Sequence, residues 1–311
     1  MRLVFLGSPA FALPILEAVR AAGYEIALVV TQPDRLAGRG RHSTPTPVAA
    51  YARQHALALW QTPSLKGPAA EARLRQVDPE AMVLAAFAAL VPDNLLDLTP
   101  GGILNVHPSL LPRWRGAAPI QSALLAGDPA TGVSIIRLVH ALDAGPMLLQ
   151  ERIPIAATDD YVSLEPRLAG VGARLVVRAL VERPEPRPQD ETGATYSKRL
   201  DRSDARIDWS QPNVTIWNQV RAYRGWPQAF TLFEGRVLKV LRAWPLAPSE
   251  AARLHALVRP GAVAVPDGSA PLVATGSGVL RLDEVQLEGK RAQSGEAFVR
   301  GYPRVHGANL A

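Results

Sequence analysis

The chain of 311 residues contains no cysteine. That absence excludes disulfides, thiolate nucleophiles, iron–sulfur clusters and cysteine-ligated zinc, and nothing in the composition calls for an oxidising compartment. Long apolar runs are missing as well. No stretch reaches the roughly 20 uninterrupted apolar residues of a membrane span. The opening MRLVFLGSPAFALPI is broken by Gly7, Pro9 and Pro14, so it reads as a strand and a turn rather than a signal peptide. A soluble, cytoplasmic, monomeric protein is the expectation. Glycine signatures of nucleotide binding are also lacking. The turn after the first strand, Gly7-Ser8-Pro9-Ala10-Phe11-Ala12, has one glycine where the dinucleotide fingerprint needs three, and no P-loop occurs. The six histidines, at 42, 55, 107, 140, 255 and 306, show neither HxH nor HExxH spacing, so no metal site is expected.

What is present suits a globular protein. Hydrophobic residues make up 48% and charged residues 20%, enough apolar side chain for buried cores, and the length fits about two domains at roughly 150 residues each. The net charge of +6 is unevenly placed. Residues 1–186 carry 17 basic and 16 acidic side chains, whereas residues 187–311 carry 17 and 12. A basic C-terminal module fits a polyanionic partner, most simply nucleic acid. Only four lysines stand against thirty arginines, so codon composition accounts for the excess equally well.

In the first half, short apolar runs alternate with helix-period segments, the signature of a parallel sheet covered by helices. Strands are expected at Arg2–Leu6, Ile26–Val30, Ala56–Trp60, Ala81–Phe87, Ile103–Val106, Val133–Leu138 and Met147–Ile155. Helices are expected over Pro9–Ala22, Val48–His55, Pro68–Gln76 and Ile120–Ala126. A longer one should begin near Ser163, which puts Pro166 in its first turn. The fold class is therefore α/β, a doubly wound, mostly parallel sheet over residues 1–182. The run RPEPRPQDETGATYS at 183–197 has three alternate prolines and reads as the start of a linker, 183–205. Beyond it, one helix at Val214–Tyr223 precedes short β-type runs at Ala229–Phe233, Val237–Leu241, Gly261–Val265, Leu272–Ala274 and Val279–Leu287, separated by glycine-containing turns. These indicate a small C-terminal β-barrel or sandwich over 206–311.

The densest polar information lies in Asn105-Val106-His107-Pro108-Ser109-Leu110-Leu111-Pro112-Arg113-Trp114-Arg115-Gly116. Asn105 and His107 are two apart at a strand end, so both project to one face at the carboxyl edge of the sheet, where open α/β folds place ligands. An amide there can donate to a developing oxyanion, and an imidazole can hold or shuttle a proton near neutral pH. A second candidate is Leu142-Asp143-Ala144-Gly145. Asp143 either orients His107 or is simply a turn aspartate before glycine, and sequence distance does not choose between them.

The run NVHPSLLPRWRGAAPIQ, with LDAG at 142–145, closely resembles the 10-formyltetrahydrofolate-dependent formyltransferases. The resemblance implies that Asn105, His107 and Asp143 are the catalytic set. It also implies that 10-formyltetrahydrofolate is the formyl donor, with no metal. It assigns the folate-contacting segment to Ser109, Leu110, Leu111 and Pro112, and pterin contacts to Phe87 and Leu90 in 86–91 and to Leu138 and Leu142 in 138–142. Three features resemble the branch that formylates methionyl initiator tRNA: the early loop TQPDRLAGRGR at 31–41, the Arg206-Ile207-Asp208-Trp209 segment, and the basic β-rich C-terminal half, expected as an OB-like barrel. That branch implies transfer of the formyl group to the α-amine of methionyl initiator tRNA. Expected tRNA contacts are Arg35, Arg39 and Arg41 in the loop and Arg221, Arg224 and Lys239 in the basic segment 219–259, whose Trp226 and Trp244 are expected in the core. Two departures stand out: LAAFAALVP at 84–92, where relatives usually show an aromatic–glycine pair, and His42-Ser43-Thr44, where many carry lysine. Competing readings are a formyltransferase acting on an amino-sugar nucleotide, hydrolysis of the same donor, and a catalytically silent RNA-binding protein.

Overall fold

The central apolar runs of the first half, those of Arg2–Gly7, Ala81–Ala85 and Ile103–His107 among them, are buried on both faces, and this dictates a sheet with helices on either side. A computed structural model of the chain describes residues 1–37, 42–87, 89–247 and 259–311. Seven strands form one sheet in the order β10-β9-β7-β6-β1-β2-β5. These are β1 (Arg2–Gly7), β2 (Glu25–Thr31), β5 (Leu59–Gln61), β6 (Ala81–Ala85), β7 (Ile103–His107), β9 (Ala130–Arg137) and β10 (Met147–Pro154). Neighbours from β5 to β7 run parallel, whereas β9 and β10 are antiparallel to their neighbours. Leu3, Val4, Phe5 and Leu6 of β1 are fully buried, and helix α1 (Ala12–Ala21) covers the sheet with Ile15, Leu16 and Val19. Helices α2 (Pro47–Gln54), α3 (Pro68–Val77), α4 (Pro119–Leu125) and α5 (Tyr161–Glu182) complete the set. Helix α2 opens as its sequence suggests, with Pro47 in the first turn and Thr46 accepting from the Ala49 N–H. Within the early loop, β3 (Arg35–Ala37) pairs antiparallel with β4 (His42–Thr44).

Three expectations shift for local reasons. Ala56 takes a left-handed φ of 52° after α2, so β5 opens only at Leu59. Helix α5 starts at Tyr161 rather than Ser163, because Asp160 and Ser163 cap it reciprocally: the Ser163 N–H donates to Asp160 Oδ1 at 3.0 Å and the Asp160 N–H to Ser163 Oγ at 3.1 Å. Pro166 therefore lies beyond the first turn. Residues 183–197, read as spacer from their prolines, are bonded into the sheet-containing unit. Met147 and Arg187 exchange backbone bonds of 2.7 and 2.8 Å, and β11 (Tyr196–Ser197) pairs in parallel with β8 (Arg115–Gly116). The prolines at 184, 186 and 188 hold the strap extended and remove backbone donors, and its bonds come from the Arg187 backbone and from residues after the prolines, the Gln189 and Glu191 side chains among them.

The chain divides into two compact units, one of residues 1–119, 130–154 and 165–197, the other of 120–129, 155–164 and 198–311. The second contains an antiparallel sheet in the order β12-β13-β16-β15-β14, with β17 on β16. Its strands are β12 (Phe230–Phe233), β13 (Arg236–Pro245), β14 (Val263–Ala264), β15 (Leu272–Ala274), β16 (Val279–Leu287) and β17 (Gln293–Ser294). Helices α6 (Asn213–Ala222) and α7 (Gly295–Gly301) pack with it around Trp209, Ile216, Val220, Phe233, Val240, Val273, Leu280 and Phe298. The C-terminal tail bonds to two of its strands. Val263 N–H donates to Ala308 O at 2.9 Å, and Leu232 N–H to Ala311 O at 2.8 Å.

Gly7, at the carboxyl end of β1, admits no side chain. A Cβ there would lie 2.8 Å from the Ala12 Cβ and 2.9 Å from the Ala85 carbonyl oxygen. Gly7→Ala is expected to destabilise the fold by about 1–3 kcal/mol through overpacking. A urea titration reads this directly, and an unshifted midpoint would contradict the close approach.

Candidate active site

Strand β7 is central in the sheet, bonded to β6 on one side and β9 on the other, so the side chains at its carboxyl end have fixed positions. Asn105 and His107 lie there, both buried. Asp143 arrives from the turn between β9 and β10 with a left-handed φ of 48°. Two residues on, Gly145 makes that turn possible: a Cβ would fall 1.8 Å from the Arg137 carbonyl oxygen. The three side chains that the sequence singled out converge. Asn105 Nδ2 donates to Asp143 Oδ1 at 3.1 Å, the Gly116 N–H donates to Asp143 Oδ2 at 2.8 Å, and His107 Nδ1 is 3.6 Å from the same Oδ2. His107 Nε2 lies 3.0 Å from the Trp114 carbonyl oxygen. A carbonyl only accepts, so Nε2 carries the hydrogen of that bond. The amide of Asn105 spends one N–H on Asp143.

The loop after His107 is braced by residues the sequence reading missed. Ser134 Oγ donates to the Ser109 carbonyl at 2.7 Å and accepts from the Leu111 N–H at 3.1 Å. Gln150 Nε2 bonds both Ser134 Oγ at 2.8 Å and the Leu111 carbonyl at 3.0 Å. The one sequence signal for Ser134 was polarity at a buried position of a mostly apolar strand, and Gln150 had none. Arg115 is 2% exposed. Glu191 meets it through two bonds, Nη1 to Oε2 at 2.9 Å and Nη2 to Oε1 at 2.7 Å. These bonds raise the guanidinium's affinity for its proton and hold the Glu191 carboxyl below the usual carboxylate range. Gln189 bonds to Arg115 and to the Asp143 turn. Sequence gave no signal for it beyond a polar residue after a run of prolines.

The expected folate residues divide. Ser109 and Leu111 are buried, and the Ser109 hydroxyl is spent on the Arg113 carbonyl at 2.7 Å. Leu110 and Pro112 are half-buried in the same loop. Phe87 belongs to the core of the first unit with Leu138 packed against the same cluster, whereas Leu90 and Leu142 are 73% and 56% exposed. Exposed leucines on either side of the strand ends are groups that a flat apolar ring system would cover. A cavity of about 520 Å³ lies elsewhere, at the amino ends of the strands, lined by Met1, Glu80, Gly101, Arg137, Leu180 and Arg183 among others.

The expected nucleic-acid residues need correction. Arg39 and Arg41 lie outside the described residues, and Arg35 is exposed on β3. Arg221 is buried. Its guanidinium stacks over the Trp217 ring at 3.9 Å, Nη2 donates to Asn218 Oδ1 at 2.6 Å and Nη1 to the Asp159 carbonyl at 3.2 Å, so it faces inward rather than towards a polyanion. Burial lowers its pKa against the partly compensating charges of Asp159 and Asp160. Arg224 is 2.9 Å from Glu284 Oε2 and 3.7 Å from Asp160 Oδ2, and its charge is thereby largely offset. Among the described residues Lys239 bonds a neutral amide, the Gln228 Oε1 at 2.6 Å, and no carboxylate. Trp226 and Trp244, expected in the core, are 50% and 37% exposed. Trp226 lies between α6 and β12, and Trp244, near the end of β13, packs edge-on against the Trp217 ring at 5.5 Å. Arg221→Ala is expected to cost roughly 1–3 kcal/mol of unfolding free energy, since it strands the acceptors it now satisfies. An unchanged denaturation midpoint would argue against its structural role.

Comparison with known proteins bears on the family of the chain. Residues 1–180 match the formyl transferase family and residues 199–303 match the formyl transferase C-terminal domain. The methionyl-tRNA formyltransferase of Dechloromonas aromatica is 42% identical over 308 residues, covering 99% of this chain and 98% of the relative. That of Ruegeria pomeroyi is 42% identical over 313 residues, covering all of both. Among solved structures, an N-formyltransferase from Helicobacter canadensis in complex with folinic acid and dTDP-3-aminofucose shares the fold at a TM-score of 0.66 and 15% identity, covering 90% of this chain and 98% of that one. HypX from Aquifex aeolicus in complex with tetrahydrofolic acid shares it at 0.64 and 17%, over 96% of this chain, which spans 47% of that longer protein. With both halves matched and relatives alike from end to end, the chain belongs to the formyltransferase family.

Proposed function

We propose that this enzyme transfers the formyl group of 10-formyltetrahydrofolate to the α-amine of methionyl initiator tRNA. The observation that carries the reading is the buried convergence of Asn105, His107 and Asp143 at the carboxyl edge of the sheet, in a chain 42% identical along its length to methionyl-tRNA formyltransferases. The folate supplies an activated formyl carbon. The amine attacks it as the free base, a C–N bond forms to the α-nitrogen, the bond to the folate nitrogen breaks, and a proton passes from the one nitrogen to the other.

Asn105 directs its second N–H to the oxygen that becomes negative during attack, and a preorganised donor of this kind is worth about 100-fold or more in turnover. His107 joins it by exchanging the Trp114 carbonyl for the substrate oxygen. Asp143, 3.6 Å from His107 Nδ1, holds the imidazole and relays the amine proton with it. Leu142 and Leu90 cover the pterin, and the 109–112 loop forms the adjoining wall. The second unit binds the tRNA backbone through Lys239 and the exposed arginines, and the 31–41 loop, with Arg35, Arg39 and Arg41, reaches the acceptor stem. We read residues 206–311 as an OB-like barrel, a closure supported by the tail that bonds to both β12 and β14. With initiator tRNA as acceptor, the reaction belongs in the cytoplasm.

Labelled 10-formyltetrahydrofolate offered with methionyl initiator tRNA, with a UDP-amino sugar or with water alone tests the reading. Label is expected on the aminoacyl-tRNA only, and transfer to the sugar or release as formate would overturn it. Asp143→Asn leaves one acceptor for two donors, and kcat is expected to fall by about 100-fold or more with the fold retained. For the acceptor, Lys239→Ala is expected to weaken tRNA binding and reduce the slope of log Kd against log salt by about one. A slope unaltered by the substitution would remove Lys239 from the interface.

A further inference from the structure

The proline-rich strap holds a buried group that the proposed chemistry does not use. Gln189 is 9% exposed, and all four hydrogen-bonding capacities of its amide are filled. Nε2 donates to the Asp143 carbonyl at 2.8 Å and to the Gly145 carbonyl at 2.7 Å, while Oε1 accepts from Arg115 Nη2 at 2.8 Å and Nε at 3.2 Å. The two carbonyls belong to the turn that presents the Asp143 side chain, and Asp143 holds a left-handed φ of 48°, uncommon for a residue with a side chain. Arg115 immediately precedes Gly116, whose N–H bonds the Asp143 carboxylate. One side chain thus fixes the backbone of the aspartate and, through Arg115, the donor that meets its carboxylate. Further along the strap, Thr195 Oγ1 accepts from the Trp114 N–H at 2.9 Å and steadies the residue whose carbonyl meets His107.

We propose that Gln189 is the positioning residue for Asp143, setting the carboxylate between Asn105, His107 and Gly116. The proposal rests on the formyl-transfer reading above. Only an amide serves at this place. A glutamate would still accept from Arg115 but would face two carbonyls with no hydrogen to offer, and an alanine would leave the turn and Arg115 with nothing between them. Displacing a reacting group by about 1 Å can cost on the order of 100-fold in rate without affecting substrate affinity.

The test uses the full-length chain with 10-formyltetrahydrofolate and methionyl initiator tRNA. Gln189→Ala is expected to lower kcat by roughly 10- to 100-fold, leaving KM for both substrates within about twofold. Gln189→Glu, which keeps the Arg115 contact and the side-chain volume, should show the same split and guards against a variant that merely fails to fold. In an Asp143→Asn background, where turnover is already low, Gln189→Ala should change kcat by less than about twofold, because its effect passes through Asp143. The proposal fails if Gln189→Ala and Gln189→Glu turn over normally while Asp143→Asn does not, if the loss lies in KM, or if it is equally large in both backgrounds. A wild-type chain that formylates no methionyl-tRNA would overturn the functional reading itself, an outcome visible before any variant is made.

Discussion

The structure of the candidate site depends on one buried carboxylate. Burying an anion is costly unless its oxygens are met by donors, and Asp143 finds them in two places, the amide of Asn105 and the backbone N–H of Gly116, with the imidazole of His107 facing it at 3.6 Å. Those partners come from a central strand and from the loop that follows it, while the aspartate comes from a turn two strands further along. Satisfying the charge therefore assembles the site. The close approach at Gly145, the Ser134–Gln150 brace and the Gln189–Arg115–Glu191 chain can each be understood as removing freedom that would let one of the partners drift.

The second unit shows a related economy of charge. Its basic excess in the sequence is partly neutralised from within. Arg224 meets Glu284 and Asp160, Arg242 lies 3.7 Å from the same Glu284, and Arg281 lies 2.5 Å from Asp283. Arg221 is withdrawn altogether into an aromatic and carbonyl-lined position. The field offered to a polyanion is then that of fewer cations than a count of residues suggests, and Lys239 gains in weight. Half-exposed Trp226 adds a flat apolar surface to the same unit.

Much of this was legible in the sequence where the signal is local. Continuous apolar runs placed the central strands and period-3.6 patterns the helices, because a strand buried on both faces must be apolar throughout. Asn105 and His107 were legible as a pair because alternation along a strand puts them on one face. Asp143 was not legible from spacing, since a turn aspartate before glycine is commonplace; resemblance to a family supplied it. Burial of arginine was invisible for a different reason. Arg221 in the last turn of α6 and Arg224 just beyond it look alike in composition, yet one faces Asp159 and Asn218 and the other faces Glu284, a distinction made largely by residues 60 or more positions away. The strap was misread because alternate prolines signal extension, and an extended chain can be a tether or a clamp according to what lies beneath it.

That clamp changes where the molecule can be cut. A dissection guided by composition would sever the chain at 182, after the last turn of α5, and keep a Rossmann-like half with every proposed reacting group. Such a fragment would still carry Asn105, His107 and Asp143, yet it would have lost Gln189, Glu191, Thr195 and the β11 pairing. The smallest piece able to preserve the site's geometry ends no earlier than Ser197.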